Sequence, residues 1–249
     1  MSSSNPIGSP FIELLSVEST NNYAMGLVHE GMAQHGTAVF THEQTRGKGQ
    51  RNKAWDSQKD QNIALSVILE PSSVVSSGLF VLSMAVAVAT RHFFSRHAMD
   101  EVTIKWPNDI YWRDRKAAGI LIENLWQGSE WRFAIAGIGV NINQTDFGVL
   151  GTRAVSLKQI TGKSFEPLTL AMELCSEMEA QWQVLKQDGA SIAANYRQHL
   201  YRLHETVRFK KDNRIFEGTV EDVTLNGQLV VQHAFEESFS VGEVEWMIG

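Results

Sequence analysis

Between Glu43 and Trp55 the chain reads EQTRGKGQRNKAW, with no leucine, isoleucine, valine or methionine. Such a run cannot form a core strand or the apolar face of a helix. It lies between two segments that read as strands. Thr37 to His42 alternates, with Ala38 and Phe40 on one face, and Asn62 to Leu69 is apolar enough to be buried. Within the run Gly47 and Gly49 alternate with Lys48 and Gln50, and Arg46, Arg51 and Lys53 add positive charge. Glycines let backbone N–H groups come close to a ligand. Cations beside them suit a phosphate or a carboxylate. A solvated surface loop is the competing reading, because a single Gly-x-Gly is weak. Two further stretches favour a ligand: Lys105-Trp106-Pro107-Asn108-Asp109 and Gly137-Ile138-Gly139-Val140-Asn141.

The background is acidic, with a net charge of −6 and a pI near 5.8 across 249 residues, so the cationic cluster is local. That balance argues against a general nucleic-acid binder, which needs a basic face. Hydrophobic residues make up 43%, enough for a sizeable core. Cys175 is the single cysteine, which excludes a disulfide framework and fits a reducing cytoplasm. The N-terminus MSSSNPIGSP has neither the basic nor the apolar region of a signal peptide. Leu79 to Ala89 is too short to span a bilayer, so no membrane partner is expected.

In chain order, residues 1–10 read as a loose tail and Phe11 to Val17 as a short strand. Ser19, Thr20 and Asn21 offer N-caps for a helix running to Gly31, and a helix N-terminus also presents N–H groups to a polar ligand. Ser76 to His97 reads as a long helix with Leu79, Leu82, Val86, Ala89 and Phe93 on one face. Three strands are expected next. Val102 to Trp106 leads across a bend at Pro107-Asn108-Asp109 to Ile110–Trp112, and Lys116–Trp126 pairs with Trp131–Asn141 as a hairpin. Ala117, Ala118 and Gly119 mark a place where something packs closely. From Ser156 the pattern is helical, with Ala171, Leu174, Cys175, Met178, Trp182 and Leu185 on one face. Cys175 there reads as a structural residue. A second helix is expected from Ile192 to Leu203. Short strands follow, with Asn226-Gly227 as a hairpin turn. This divides the chain into a catalytic domain, 1–203, and a small barrel-like β domain, 204–249.

Taken together, these motifs resemble the biotin protein ligases. The family's glycine-rich loop runs close to Gly-Arg/Lys-Gly-Arg/Gln-Arg-Gly-x-x-Trp, and here it is Gly47 to Trp55. Lys-Trp-Pro-Asn-Asp is complete at 105–109, Lys-x-Ala-Gly-Ile-Leu is Lys116 to Leu121, and Gly-x-Gly-x-Asn is Gly137 to Asn141. The likeness covers about residues 11–249. Asn52 stands where the family usually carries glycine, and Arg46 where it carries a small residue.

The resemblance implies an α/β (α+β) fold: a mixed sheet flanked by helices, similar to class II aminoacyl-tRNA synthetase and lipoate ligase cores, with a C-terminal SH3-like barrel. It implies a two-step ligase that forms biotinyl-5'-AMP from biotin and ATP, then passes the biotinyl group to a lysine of a biotin carboxyl carrier domain, of acetyl-CoA carboxylase or a related carboxylase. Mg²⁺ is expected with ATP, held largely by phosphates and water. Joining two anions is the physical difficulty, and Lys105 and Arg51 are the expected catalytic cations. Biotin is expected against Ser19, Thr20, Asn21, Gln44, Gly47, Lys48, Gly49, Gln50, Lys105, Gly137 and Gly139. ATP is expected against Arg51, Lys53, Trp55, Asn108, Lys116 and Asn141. Some members of the family carry an N-terminal DNA-binding module; a catalytic body starting near Phe11 implies a form without it, and no DNA partner. The resemblance admits a homodimer. Rival classes are a lipoate or octanoate transferase and a non-catalytic biotin-binding module. Lys105, Gln50 and Arg51 oppose them, since biotin binding alone needs no phosphate site.

Overall fold

The structure is a computed structural model that describes residues 5–74, 78–99 and 101–247. Among these residues, seven strands form one mixed sheet in the order β1-β2-β3-β7-β6-β5-β4. They are β1 (Phe11–Leu14), β2 (Ala38–Thr41), β3 (Asn62–Leu69), β4 (Val102–Lys105), β5 (Asp109–Trp112), β6 (Arg115–Gln127) and β7 (Glu130–Asn141). β1 and β2 run parallel, joined by helix α1 (Thr20–His29), and the other neighbours are antiparallel. β6 and β7 form the expected hairpin, each one residue longer at the turn.

The period-two pattern of the strands divides the sheet into two unlike faces. Ile63, Leu65, Val67, Ala118, Ile138 and Val140 point to the main core. That face is covered by α2 (Leu79–Ala98), α4 (Pro167–Gln187) and α5 (Gly189–Gln198), with the short α3 (Leu157–Thr161) beside α2. α3 opens with a capping box between Ser156 and Gln159. On the other face only one end is apolar: Val39, Ile68 and Ile135 pack with Ala24 of α1. The rest of that face carries small residues and holds the site.

Residues 204–247 form a five-stranded antiparallel sheet, ordered β11-β10-β9-β8-β12. Its strands are β8 (Thr206–Lys211), β9 (Arg214–Val223), β10 (Leu229–Gln232), β11 (Glu236–Phe239) and β12 (Glu245–Trp246). The Asn226-Gly227 turn joins β9 to β10, with Gly227 at φ +84°. Phe209, Val220, Val231 and Phe239 are buried in the same continuous core as the large sheet. Side-chain hydrogen bonds tie the small sheet to the rest of the chain. The indole N–H of Trp106, a fully buried side chain, donates to Gly227 O at 2.9 Å, and Arg197 Nε donates to Val223 O at 2.8 Å.

Several sequence expectations are corrected. Residues 5–10 are no loose tail: Ile7 is buried and its N–H donates to Glu179 at 2.8 Å, while residues 1–4 lie outside the described part. The first strand stops at Leu14, and Val17 makes only an isolated bridge to Gln44. The predicted start of the long helix at Ser76 lies outside the described residues, and Leu79 is exposed rather than on the buried face. Four strands follow that helix, because the bend after Trp106 separates β4 from β5. α5 ends at Gln198, after which the backbone of Ile104 exchanges hydrogen bonds with His199 and Tyr201. Cys175 is buried as expected, and burial pushes its thiol up to about 12.

Candidate active site

Strand register builds the floor of the site. Gly137 pairs with Ser66 on one side and Leu121 on the other, and Gly139 with Ala64 and Gly119. The second row continues through Asp109 to Lys105. Period-two alternation puts both rows on the face away from the main core. The glycines there are required by close packing. A Cβ on Gly139 would overlap the Trp55 indole, one on Gly119 would press on Trp55 and Lys116, and one on Gly137 would overlap the Asn21 amide.

The N-terminus of α1 closes one end of this floor. Ser19 is the N-cap by position, yet its side chain makes no capping bond. Gln44 does the capping from a distance: its Oε1 accepts the Thr20 N–H at 2.9 Å. Holding the amide by its oxygen leaves its nitrogen turned toward Gly47. Thr20 Oγ1 lies 3.2 Å from Gln44 Oε1 and 2.7 Å from Ser66 Oγ, and Ser66 Oγ is 2.6 Å from Asn21 Oδ1. Asn21 Nδ2 donates to Glu123 Oε2 at 2.8 Å.

The cationic loop forms the roof. It folds back on itself, with Trp55 N–H donating to Gly47 O at 2.9 Å and Gly49 N–H to Lys53 O at 2.7 Å. Arg51 takes the left-handed conformation at its tip, φ +54°. Trp55 drops onto Gly119 and Gly139, its indole N–H buried and unpartnered. The space the roof encloses is narrow, with a cavity volume of about 50 Å³.

Most predicted site residues meet here. Ser19, Thr20, Asn21 and Gln44 line the closed end. Lys48, Gly49, Gln50 and Trp55 line the roof, and Asn108, Lys116, Gly137 and Gly139 the floor. Lys116 Nζ is 2.7 Å from Asp109 Oδ1, an ion pair by distance but misaligned as a hydrogen bond. It also lies 5.5 Å from the Trp55 ring centroid.

Five predicted residues sit elsewhere. Gly47 lies behind the roof, against the Trp55 carbonyl and the Gln44 amide. Arg51 and Lys53 line an outer groove of about 970 Å³, whose far wall is Asp146 to Leu150. The Arg51 guanidinium rests on Gly242 of the small sheet. The Asn141 amide is engaged by Lys116 O at 3.3 Å and Val155 O at 3.2 Å rather than facing the pocket. Lys105 lies outside the pocket wall, its ammonium 5.2 Å from the Tyr111 ring and 5.5 Å from the Trp246 ring. Burial lowers its pKa from the ordinary lysine value; Asp109 opposes this, and Lys116 and Lys53 add to it.

Gly119, marked in the sequence as a place of close packing, lies under Trp55, whereas Ser66 and Glu123, which bond to Thr20 and Asn21, escaped the motif reading. Ser66 carried a signal, as the one hydroxyl in the apolar run Asn62–Leu69, and Glu123 another, as a carboxylate within a long hairpin strand.

Residues 14–141 match the sequence profile of the Biotin/lipoate A/B protein ligase family. The chain is 29% identical to the bifunctional ligase/repressor BirA of Escherichia coli over 70% of its own length and 53% of BirA's. It thus spans about half the length of these bacterial relatives. It is 28% identical to the biotin--[acetyl-CoA-carboxylase] ligase of Paracoccus denitrificans, over 88% of this chain and 92% of that one. Its fold is that of a biotin protein ligase from Aquifex aeolicus solved with biotin and ATP, with a TM-score of 0.80 over 96% of this chain and 99% of that one, at 22% identity.

Proposed function

This chain belongs to the biotin/lipoate A/B protein ligase family, and we propose that within it the chain is a biotin protein ligase. It activates biotin with ATP and delivers the biotinyl group to a lysine of a biotin carboxyl carrier domain. One observation carries this choice: the closed end of the pocket is polar and sits beside a cationic roof. Ser19, Thr20 and Asn21, all buried, line that end beside the Gln44 amide. A cyclic urea presents C=O and N–H groups side by side and satisfies such an end. A dithiolane offers neither and would leave it unpaired.

In the first step a carboxylate oxygen of biotin attacks the α-phosphorus of ATP, and the bond to the β-phosphate oxygen breaks as pyrophosphate leaves. Two anions must meet, so fixed positive charge is what the protein supplies. Lys48 in the roof and Lys116 in the floor face the pocket, with Lys105 farther along the floor's own sheet row. Gly49 and Gln50 cover the carboxylate, and Trp55 walls in the activated acyl group. Arg51 and Lys53 in the outer groove take the distal phosphates. Asn108 and Asn141 hold the edge of the nucleotide, the latter after leaving its backbone partners. In the second step the carrier lysine nitrogen attacks the carbonyl carbon, loses a proton, and AMP departs with the C–O electrons. Among the described residues no three His, Cys, Asp or Glu side chains cluster as a metal site. Mg²⁺ is expected to come in on the phosphates, and no residue is assigned to it.

The relatives' names point to a carboxylase carrier domain as partner. No helix among the described residues is long and apolar enough to cross a membrane; a cytoplasmic setting, drawn from the lone buried cysteine, is part of the proposal. ATP–pyrophosphate exchange tests the reading. Label exchange dependent on biotin and not on lipoate is expected. Exchange driven by lipoate, or by neither acid, would overturn it.

A further inference from the structure

Lys105 is a cation without a counter-ion. Among the described residues its ammonium makes no hydrogen bond and no ion pair, and what it meets are two ring faces, Tyr111 and Trp246, with centroids 5.2 and 5.5 Å away. Asp109 is its partner across β4 and β5, but that carboxylate lies against Lys116, at 2.7 Å. Ring faces attract a cation and leave its charge unneutralised. Tyr111 belongs to β5 of the large sheet, whereas Trp246 comes from β12, at the edge of the small one.

β12 is two residues long and adds little to its own sheet. Its ring is nevertheless firmly seated, with the centroids of Phe209 and Tyr201 5.0 and 5.8 Å away. Tyr201 in turn stacks on Tyr111 at 5.2 Å, which ties the Trp246 ring to both sheets. Four residues earlier the same segment meets another cation: the Arg51 guanidinium rests on Gly242, where a Cβ would overlap it. Val244, between the two contacts, is buried in the main core and anchors the segment.

We infer that Trp246 is a positioning residue for the adenylation step: with Tyr111 it holds the Lys105 ammonium at the end of the floor row, so that the small sheet takes part in the first half-reaction. The inference rests on the functional reading above. A lysine stem is flexible, and fixing its charge before the substrates meet removes that ordering cost from the reaction. Trp246 need not touch either substrate.

Trp246→Phe keeps a ring face, and Trp246→Leu keeps an apolar side chain without one. Biotin-driven ATP–pyrophosphate exchange compares them. The Phe variant is expected to stay within about threefold of wild type. The Leu variant is expected to lose about tenfold in kcat, the scale of a desolvated cation–π contact, with the KM for biotin changed by less than about threefold. In a Lys105→Ala background there is no ammonium to hold, and Trp246→Leu is expected to cost less than about threefold more. Packing alone predicts the same loss in both backgrounds. Equal losses, a Leu variant as fast as wild type, or a Phe variant as slow as Leu would overturn the inference. If the Leu variant does not fold, Trp246→Met, also apolar and without a ring face, takes its place with the same expectations and the same overturning results. Wild-type protein without biotin-dependent exchange overturns the functional reading itself, whereas exchange indifferent to Trp246 overturns only its positioning role.

Discussion

Lys105 shows how a single side chain can be recognised in sequence and still be misplaced. Its motif is complete and its row on the sheet is the site's own row, yet its ammonium lies between the rings of Tyr111 and Trp246. Burial disfavours the charged form there, while the ring faces attract it. A cation held away from water is well suited to meet incoming anions, because its field is little screened. Lys105→Ala is expected to slow adenylation by about 10² or more, the scale for removing one preorganised donor. Pyrophosphate exchange within threefold of wild type would show that Lys48 and Lys116 suffice. What the sequence could not show is that Trp246 comes back to cover Lys105, since that contact depends on the path of the whole chain.

At the scale of strands and helices, legibility follows locality. β3, the β6–β7 hairpin and the buried face of α4 were readable because their periodicity is contained within each segment. The joining of β1 to β2 was not, because it depends on a side chain from each neighbour. His42 after β2 accepts or donates at both ring nitrogens, 2.8 Å from Glu13 of β1 and 2.8 Å from Asp60. The hydrogen bond to Glu13, followed by that to Asp60, raises its pKa against the opposing effect of burial. A raised folded pKa means that folding favours the protonated ring. Its stabilisation is therefore complete below the ordinary value of about 6.5 and is lost as pH climbs through the raised value. His42→Gln is expected to lower the melting temperature more at pH 6 than at pH 9. An equal shift at both would mean that the ring acts by packing alone.

Across the whole molecule, the boundary near residue 204 is visible as a change from helices to short strands, but the core does not stop there. Phe209, Val220 and Phe239 belong to the cluster that also contains Ile63 and Val140, and Trp106 is bonded to the β9–β10 turn. The Phe80 ring lies against the same Gly227. Trp106→Phe keeps most of the ring and leaves the Gly227 carbonyl buried without its donor, at a cost of about 1–3 kcal/mol. Urea unfolding is expected to show one transition, moved to a lower midpoint at constant slope. Two separate transitions in the wild-type chain would show that the sheets unfold independently.

The contacts of Gly242 with Arg51 and of Trp246 with Lys105 also set an order of events during synthesis. A ribosome releases residues in sequence, so the loop and the lysine emerge long before the strand that meets them. At about 5–20 residues per second, Lys105 waits on the order of ten seconds for residue 246. Once β7 has emerged the nascent chain can already have its pocket floor, while the covering over its lysine is missing. Assembly of the second sheet therefore acts as a timer that ties completion of the reaction centre to completion of the fold.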